Sequence, residues 1–294
     1  MANPSAQMKE GTIPFTYQGE TFDTHYKVFG ELANRSRPPL LVLHGGPGLT
    51  HGYLLPLSDL ALVGIPVILY DQIGNGASTH LRQKATEFWT IDLFVAELVN
   101  LVKKLDIEKS YDILGHSWGG VLGAEYEVRE QPKGLRHLVL SNALAAAEIR
   151  SRSVAQLAQA ISREVQEGLA VRMKDPQRYY AALKALHAKH GCTVQPTPPE
   201  VVRSFDCIFA EDGDPTVSMT SIMKDWTIID RLHRVLAPTL VINGRKDFMQ
   251  DFVVAPFFEK INKVKWITFE QSSHCPFWEE RQRYMEVIDD FLKL

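Results

Sequence analysis

The chain has 294 residues, 45% hydrophobic and 23% charged, which is enough apolar material for one large α/β domain with an insertion. A formal net charge of −3 gives no electrostatic reason to expect a nucleic-acid or membrane partner, which leaves a small molecule as the default. Cys192, Cys207 and Cys275 are an odd count without C-x-x-C spacing, a sign of reduced thiols in a cytoplasm rather than a disulfide framework or zinc site. Residues 1–11 are polar with no apolar leader core, and no later run nears the roughly 18 apolar residues of a membrane span, so a cytoplasmic protein is expected.

In chain order, residues 12–29 predict an antiparallel hairpin turning at Gln18-Gly19-Glu20. Short apolar runs at Leu40–Leu43, Val67–Tyr70, 111–114, 137–140, 239–242 and 265–269 read as buried strands. Between them, residues 90–105 place Ile91, Phe94, Val95, Leu98, Val99, Val102 and Leu105 on one helical face, with Thr90 as N-cap. Residues 120–130 also read as helical. Strand–helix alternation of this kind predicts a mostly parallel sheet covered on both faces. The alternation stops between 143 and 237, where helices are predicted over 154–169 and 178–190, with a flexible joint at 169–176. A proline-rich stretch at 195–199 and an acidic turn, Glu211-Asp212-Gly213-Asp214, follow. The expected organisation is a core domain of residues 1–142 and 238–294 and an inserted helical cap of residues 143–237.

The run "ILGHSWGG" sets Ser117 in a G-x-S-x-G pattern after one predicted strand and before a helix, the context in which such a serine stands clear of the sheet. A serine hydroxyl needs a base, and the base needs an acid to hold its tautomer. The order serine, acid, histidine, each on a loop after a strand, selects Asp247 in "VINGRKDF" and His274 in "FEQSSHCPFW". His116 reads as a packing or hydrogen-bonding residue, His44 and His51 as structural, and Asp71 in "DQIGNGAS" as a loop brace. For an oxyanion hole the Trp118 backbone N–H is the first candidate, and "HGGPG" after Leu40–Leu43 supplies the second, Gly46. Tyr53, Trp118, Phe248, Phe277 and Trp278 are candidates for an apolar pocket lining.

Taken together, "HGGPG", "YDQIGNGAS", "GHSWGG", "IMKDW", "NGRKD" and "SSH" resemble the α/β-hydrolase superfamily, in particular its proline iminopeptidase branch, from about Thr12 onward. The resemblance implies the α/β-hydrolase fold, a triad of Ser117, Asp247 and His274, oxyanion donors at Gly46 and Trp118, a helical cap, and no metal or organic cofactor. It also implies acidic side chains that hold a substrate's free amine, one in a segment before K-D-W and one directly after the catalytic aspartate. Here those positions carry Thr216 and Phe248. A buried cationic amine without carboxylate partners faces a desolvation cost of several kcal/mol. The leading expectation is therefore a serine hydrolase that cleaves an ester, thioester or amide of a small acyl substrate through an acyl-enzyme. The alternatives are an aminopeptidase or amino-acid amidase of the proline iminopeptidase type, with Glu211, Asp212 or Asp214 as replacement acids, and a non-hydrolytic enzyme or binding protein on the same fold.

Overall fold

The computed structural model describes residues 7–294, so the reading of residues 1–6 as a polar start lies outside it. Its strands are β1 (Met8–Tyr17), β2 (Glu20–Phe29), β3 (Leu40–Leu43), β4 (Val67–Tyr70), β5 (Tyr111–His116), β6 (Leu135–Ser141), β7 (Thr239–Gly244) and β8 (Val264–Phe269). They form one sheet in the order β1-β2-β4-β3-β5-β6-β7-β8. The pairs β1/β2 and β2/β4 are antiparallel and the others parallel. The hairpin turns through Gln18 and Gly19 at φ 50° and 83°, the left-handed pair that matches strand twist in a two-residue turn. It starts earlier than predicted, with Met8 to Gly11 already paired to β2.

The unbroken apolar runs follow from burial on both faces. In β3, Leu41 and Leu43 belong to one core cluster and Leu40 and Val42 to the other, so alternate side chains feed opposite sides of the sheet. Helices α1 (Ile91–Lys104) and α2 (Trp118–Glu130) contribute to the first cluster, and the C-terminal helix (Arg281–Phe291) to the second. Thr90 caps α1 as predicted, its hydroxyl accepting from Leu93 N at 3.2 Å.

Glu97 interrupts the apolar surface of α1 as a fully buried carboxyl. It accepts from Thr24 Oγ1 at 2.6 Å on β2 and from Ile73 N at 3.0 Å, tying the loop after β4 to the sheet. Burial raises its pKa to about 8, although both donors favour the anion. The folded state thus keeps a proton that the unfolded chain releases near its ordinary pKa. This stabilisation is complete below about pH 4.5 and is lost as pH rises towards about 8. Thermal melts across that window will show Glu97→Gln with a flatter pH dependence than the native protein.

Between β6 and β7 lie α3 (Ala147–Ile161), α4 (Arg163–Val171), α5 (Pro176–His190) and α6 (Pro199–Phe209). The helix predicted over 154–169 is two helices. Ser162 is extended at φ −166°, and its hydroxyl accepts from Val165 N at 3.2 Å, so the same serine ends α3 and caps α4. Helix α6 begins on Pro199, the last residue of the proline-rich stretch, where a missing N–H costs nothing. The two stems of the inserted segment are tied together by Ala147 N to Trp226 O at 2.9 Å and Ile228 N to Ala145 O at 3.0 Å. The segment also meets loops that follow β3, β7 and β8. Ser218 packs on Gly48, His190 Nδ1 donates to Lys246 O at 2.7 Å, and Thr193 N donates to Glu279 at 2.8 Å.

Candidate active site

Ser117 occupies the single residue between β5 and α2 at φ 56° and ψ −118°, a conformation that L side chains rarely adopt. The turn closes only because its flanks are bare: a Cβ on Gly119 would overlap the Leu43 carbonyl, and one on Gly115 would overlap the Gly119 carbonyl. Ser117 N donates to Ser141 O at 2.9 Å, fastening the turn to the end of β6.

Asp247 follows β7 and His274 follows β8, and their side chains meet at 2.9 Å, Nδ1 to Oδ1. Asp247 also accepts from Met249 N at 2.8 Å and from Asn142 Nδ2 at 2.7 Å. Burial pushes Asp247 up, and these donors pull it back towards the anion. Burial pushes His274 down, as does the positive charge of Arg150, so its imidazole is neutral at pH 7. With Nδ1 bonded to a carboxylate, the proton sits there and Nε2 is a free lone pair. Among the described residues Ser117 Oγ makes no hydrogen bond to His274, and contacts of this kind often tighten only with substrate present.

Sequence reasoning missed Asn142. It sits directly after β6 at φ 52°, left-handed space that asparagine tolerates, and its amide bridges Asp247 to the Ser273 carbonyl at 3.2 Å. Ser141 Oγ donates to Asn142 Oδ1 at 2.8 Å and receives the Tyr284 hydroxyl at 2.9 Å, which orients the amide.

His116 has the bonding role expected of it. Its Nε2 lies 2.8 Å from the His274 carbonyl, which can only accept, so Nε2 carries the proton. Burial, followed by the charge of His274, lowers the His116 pKa to about 3, so Nδ1 is an acceptor. The Tyr53 hydroxyl, 2.7 Å away, therefore donates to Nδ1 and in turn accepts Gly45 N at 2.7 Å. One directed chain thus runs from the glycine loop through Tyr53 and His116 to the histidine loop. It consumes the Gly45 N–H, whereas the Gly46 and Trp118 N–H groups have no partner among the described residues. Gly46 stands at φ 121°, backbone space in which a side chain would be strained.

His44 and Asp71 serve as braces. His44 Nδ1 donates to Gly45 O at 2.9 Å, and its Nε2 accepts Gln72 N at 3.0 Å. Burial keeps this imidazole neutral, with a pKa of about 4. Asp71 accepts His51 N at 2.9 Å, His51 Nδ1 at 2.8 Å and Ala77 N at 3.0 Å. His25, His51 and Asp71 bring potential metal-ligating atoms within 4.8 Å of one another; His51 Nδ1 is hydrogen-bonded to Asp71 at 2.8 Å, and His25 Nδ1 lies 3.5 Å from the other Asp71 oxygen.

The aromatic candidates separate by position. Phe248 lies on His274, ring centroids 4.1 Å apart. Phe277 is fully buried against His116, and Tyr53 is held in the chain described above. The Trp278 indole donates to Tyr53 O at 2.8 Å, and the Trp118 indole donates to Gln72 at 2.8 Å. Of the acidic turn, Glu211 and Asp212 are exposed. Asp214 is buried and occupied: its Oδ1 receives Thr216 Oγ1 at 2.5 Å, and its Oδ2 pairs with His80 Nδ1 at 2.5 Å.

No helix among the described residues is long and apolar enough to cross a membrane. The α/β-hydrolase fold family matches residues 38–281. A proline iminopeptidase of Clostridioides difficile is 30% identical, covering 97% of this chain and 98% of its own. The crystal structure of VinJ superposes with a TM-score of 0.89 at 38% identity, covering 97% of this chain and 98% of that one. The crystal structure of proline iminopeptidase from Mycobacterium smegmatis superposes at 0.82 with 32% identity, covering 96% and 98%. A sheet of this order, a serine on a strained strand-to-helix turn and full-length similarity all agree, and the chain belongs to the α/β-hydrolase fold family, among its proline iminopeptidase-like hydrolases.

Proposed function

We propose that the protein is a serine hydrolase that cleaves an ester, thioester or amide of a small acyl substrate. Ser117 Oγ attacks the acyl carbon while His274 Nε2 takes its proton, and Asp247 holds the imidazole in the required tautomer. The oxyanion falls to the Gly46 and Trp118 N–H groups, each worth about 3–4 kcal/mol in such a site. His274 then returns the proton to the leaving group, and water, deprotonated by the same histidine, releases the acid. The observation that carries this reading is the 2.9 Å His274–Asp247 bond, with the His274 ring 4.5 Å from that of His116, the residue before a serine held at φ 56°. Residues 143–237 form the cap in this reading, and Phe248 lines the acyl pocket. No bound metal or organic group takes part in the scheme, and the enzyme works in the cytoplasm.

Similarity to proline iminopeptidases favours a second reading, release of an N-terminal residue from a short peptide. Against it, Thr216 and Phe248 stand at the two amine-binding positions, and the one buried carboxylate of the acidic turn, Asp214, is saturated by Thr216 and His80. The two readings separate in one assay. A p-nitrophenyl acyl ester is expected to turn over, whereas proline β-naphthylamide is expected to be at least about 100-fold poorer, the cost of roughly 3 kcal/mol for an unpaired buried ammonium. Efficient arylamide cleavage with poor turnover of N-blocked analogues would establish the aminopeptidase instead.

A further inference from the structure

Arg150 stands in the first turn of α3, on the segment inserted between β6 and β7. Its guanidinium carbon lies 6.0 Å from the centre of the Phe248 ring, and that ring lies 4.1 Å from His274. The His187 ring joins the same group, 5.4 Å from Phe248. Arg150 is thus no more than about 10 Å from the proposed base, with one aromatic ring between them.

Two further observations define its role. Among the described residues its side chain makes no salt bridge and no hydrogen bond, in contrast to Arg231 on Glu125 and Arg245 on Glu270. Arg150 is exposed to solvent, yet the protein around it lowers its guanidinium pKa. Its charge also reaches His274 and His187 and helps to keep both neutral. The groups that influence it are the Tyr179 phenol and the Arg172 guanidinium, and neither supplies a counter-ion. An unpaired guanidinium beside a reacting centre is a receptor for a carboxylate, which it can hold by two parallel hydrogen bonds.

We infer that Arg150 determines substrate choice, and that the enzyme takes acyl donors with a free carboxylate at the far end of the acyl chain. This rests on the proposed Ser117 hydrolase. Arg150 lies within about 10 Å of His274, and an acyl chain of roughly four to six carbons, at about 1.5 Å per bond, has the length to reach from a carbonyl beside that histidine towards a carboxylate on Arg150. Half-esters or half-thioesters of short dicarboxylic acids have this shape. A cationic amine in the same place would meet a like charge, in keeping with Thr216 and Phe248 where acids would hold it.

The test compares glutaric acid mono-p-nitrophenyl ester with its methyl-capped, neutral counterpart. The native enzyme should prefer the anionic ester by at least tenfold in kcat/KM, through a lower KM. In Arg150→Met that ratio should fall at least tenfold, Arg150→Lys should restore part of it, and 0.5 M salt should weaken it in the native enzyme. Independently of turnover, calorimetry on Ser117→Ala should show monomethyl glutarate binding that Arg150→Met abolishes in the same background. No preference in the native enzyme, an unchanged ratio in Arg150→Met, or binding indifferent to Arg150 would overturn the inference. Ester turnover that survives in Ser117→Ala would instead sink the hydrolase reading, whatever the ratio.

Discussion

Ser117→Ala is expected to lower ester hydrolysis by about 10⁴- to 10⁶-fold in kcat, the loss typical when a triad nucleophile is removed. The variant still carries the Gly46 and Trp118 N–H groups, so turnover stays above that in water. The fold should be intact, because the bond that fastens the turn, Ser117 N to Ser141 O, is made by the backbone. A second substitution tests the strain. At φ 56° and ψ −118° alanine keeps the Cβ clash that serine has, and glycine removes it. Ser117→Gly should therefore melt above Ser117→Ala, by about 2 °C for each kcal/mol released in a chain of this length, the entropy of the unfolded glycine offsetting part of the gain. Both variants should be equally inactive. Equal melting points would mean that the turn is not strained, and high residual turnover in either would mean that Ser117 is not the nucleophile.

What could be read from the sequence was whatever is encoded locally. Strands buried on both faces announce themselves as apolar runs, and the serine turn announces itself because glycines must stand where a Cβ would strike the Leu43 and Gly119 carbonyls. The proposed acid and base, Asp247 and His274, follow from chain order after strands β7 and β8. Ser162 was legible in principle, since a serine before a charged turn is a capping signal, but the continuous apolar spacing on either side masked the break. The partners fixed by tertiary contact were not legible. The Asn142 amide matters only because Asp247, 105 residues later, comes to lie 2.7 Å from it. His116 is one of ten histidines, and only the position of the His274 carbonyl and the Tyr53 hydroxyl decides which way its protons point. Arg150 looks like any arginine on a polar helix until Phe248 is seen between it and His274.

Asp247→Asn is the sharper probe of how the base is held. The native carboxylate accepts three hydrogen bonds, from His274 Nδ1, Met249 N and Asn142 Nδ2. An asparagine of the same shape has one acceptor oxygen and one NH₂. If the oxygen stays with Met249 N and His274 Nδ1–H, the NH₂ meets the Asn142 amide, two donors face to face in a dry site. If the introduced amide turns over, its NH₂ faces His274 and forces the imidazole proton onto Nε2, which removes the lone pair that Ser117 needs. Either outcome is costly, and the second lowers kcat by about 10⁴ while leaving substrate binding nearly unchanged. The double substitution Asn142→Asp with Asp247→Asn reverses the polarity at that contact. The carboxylate moved to position 142 then accepts the NH₂ of the amide at position 247, whose oxygen is left to face His274, but it also faces the Ser273 carbonyl that Asn142 had donated to, so only part of the lost kcat should return. The kcat ratio between the single and double variants therefore measures how much of Asp247's effect is orientation and how much is negative charge. No recovery at all would show that the orientation of the imidazole alone does not account for what Asp247 contributes.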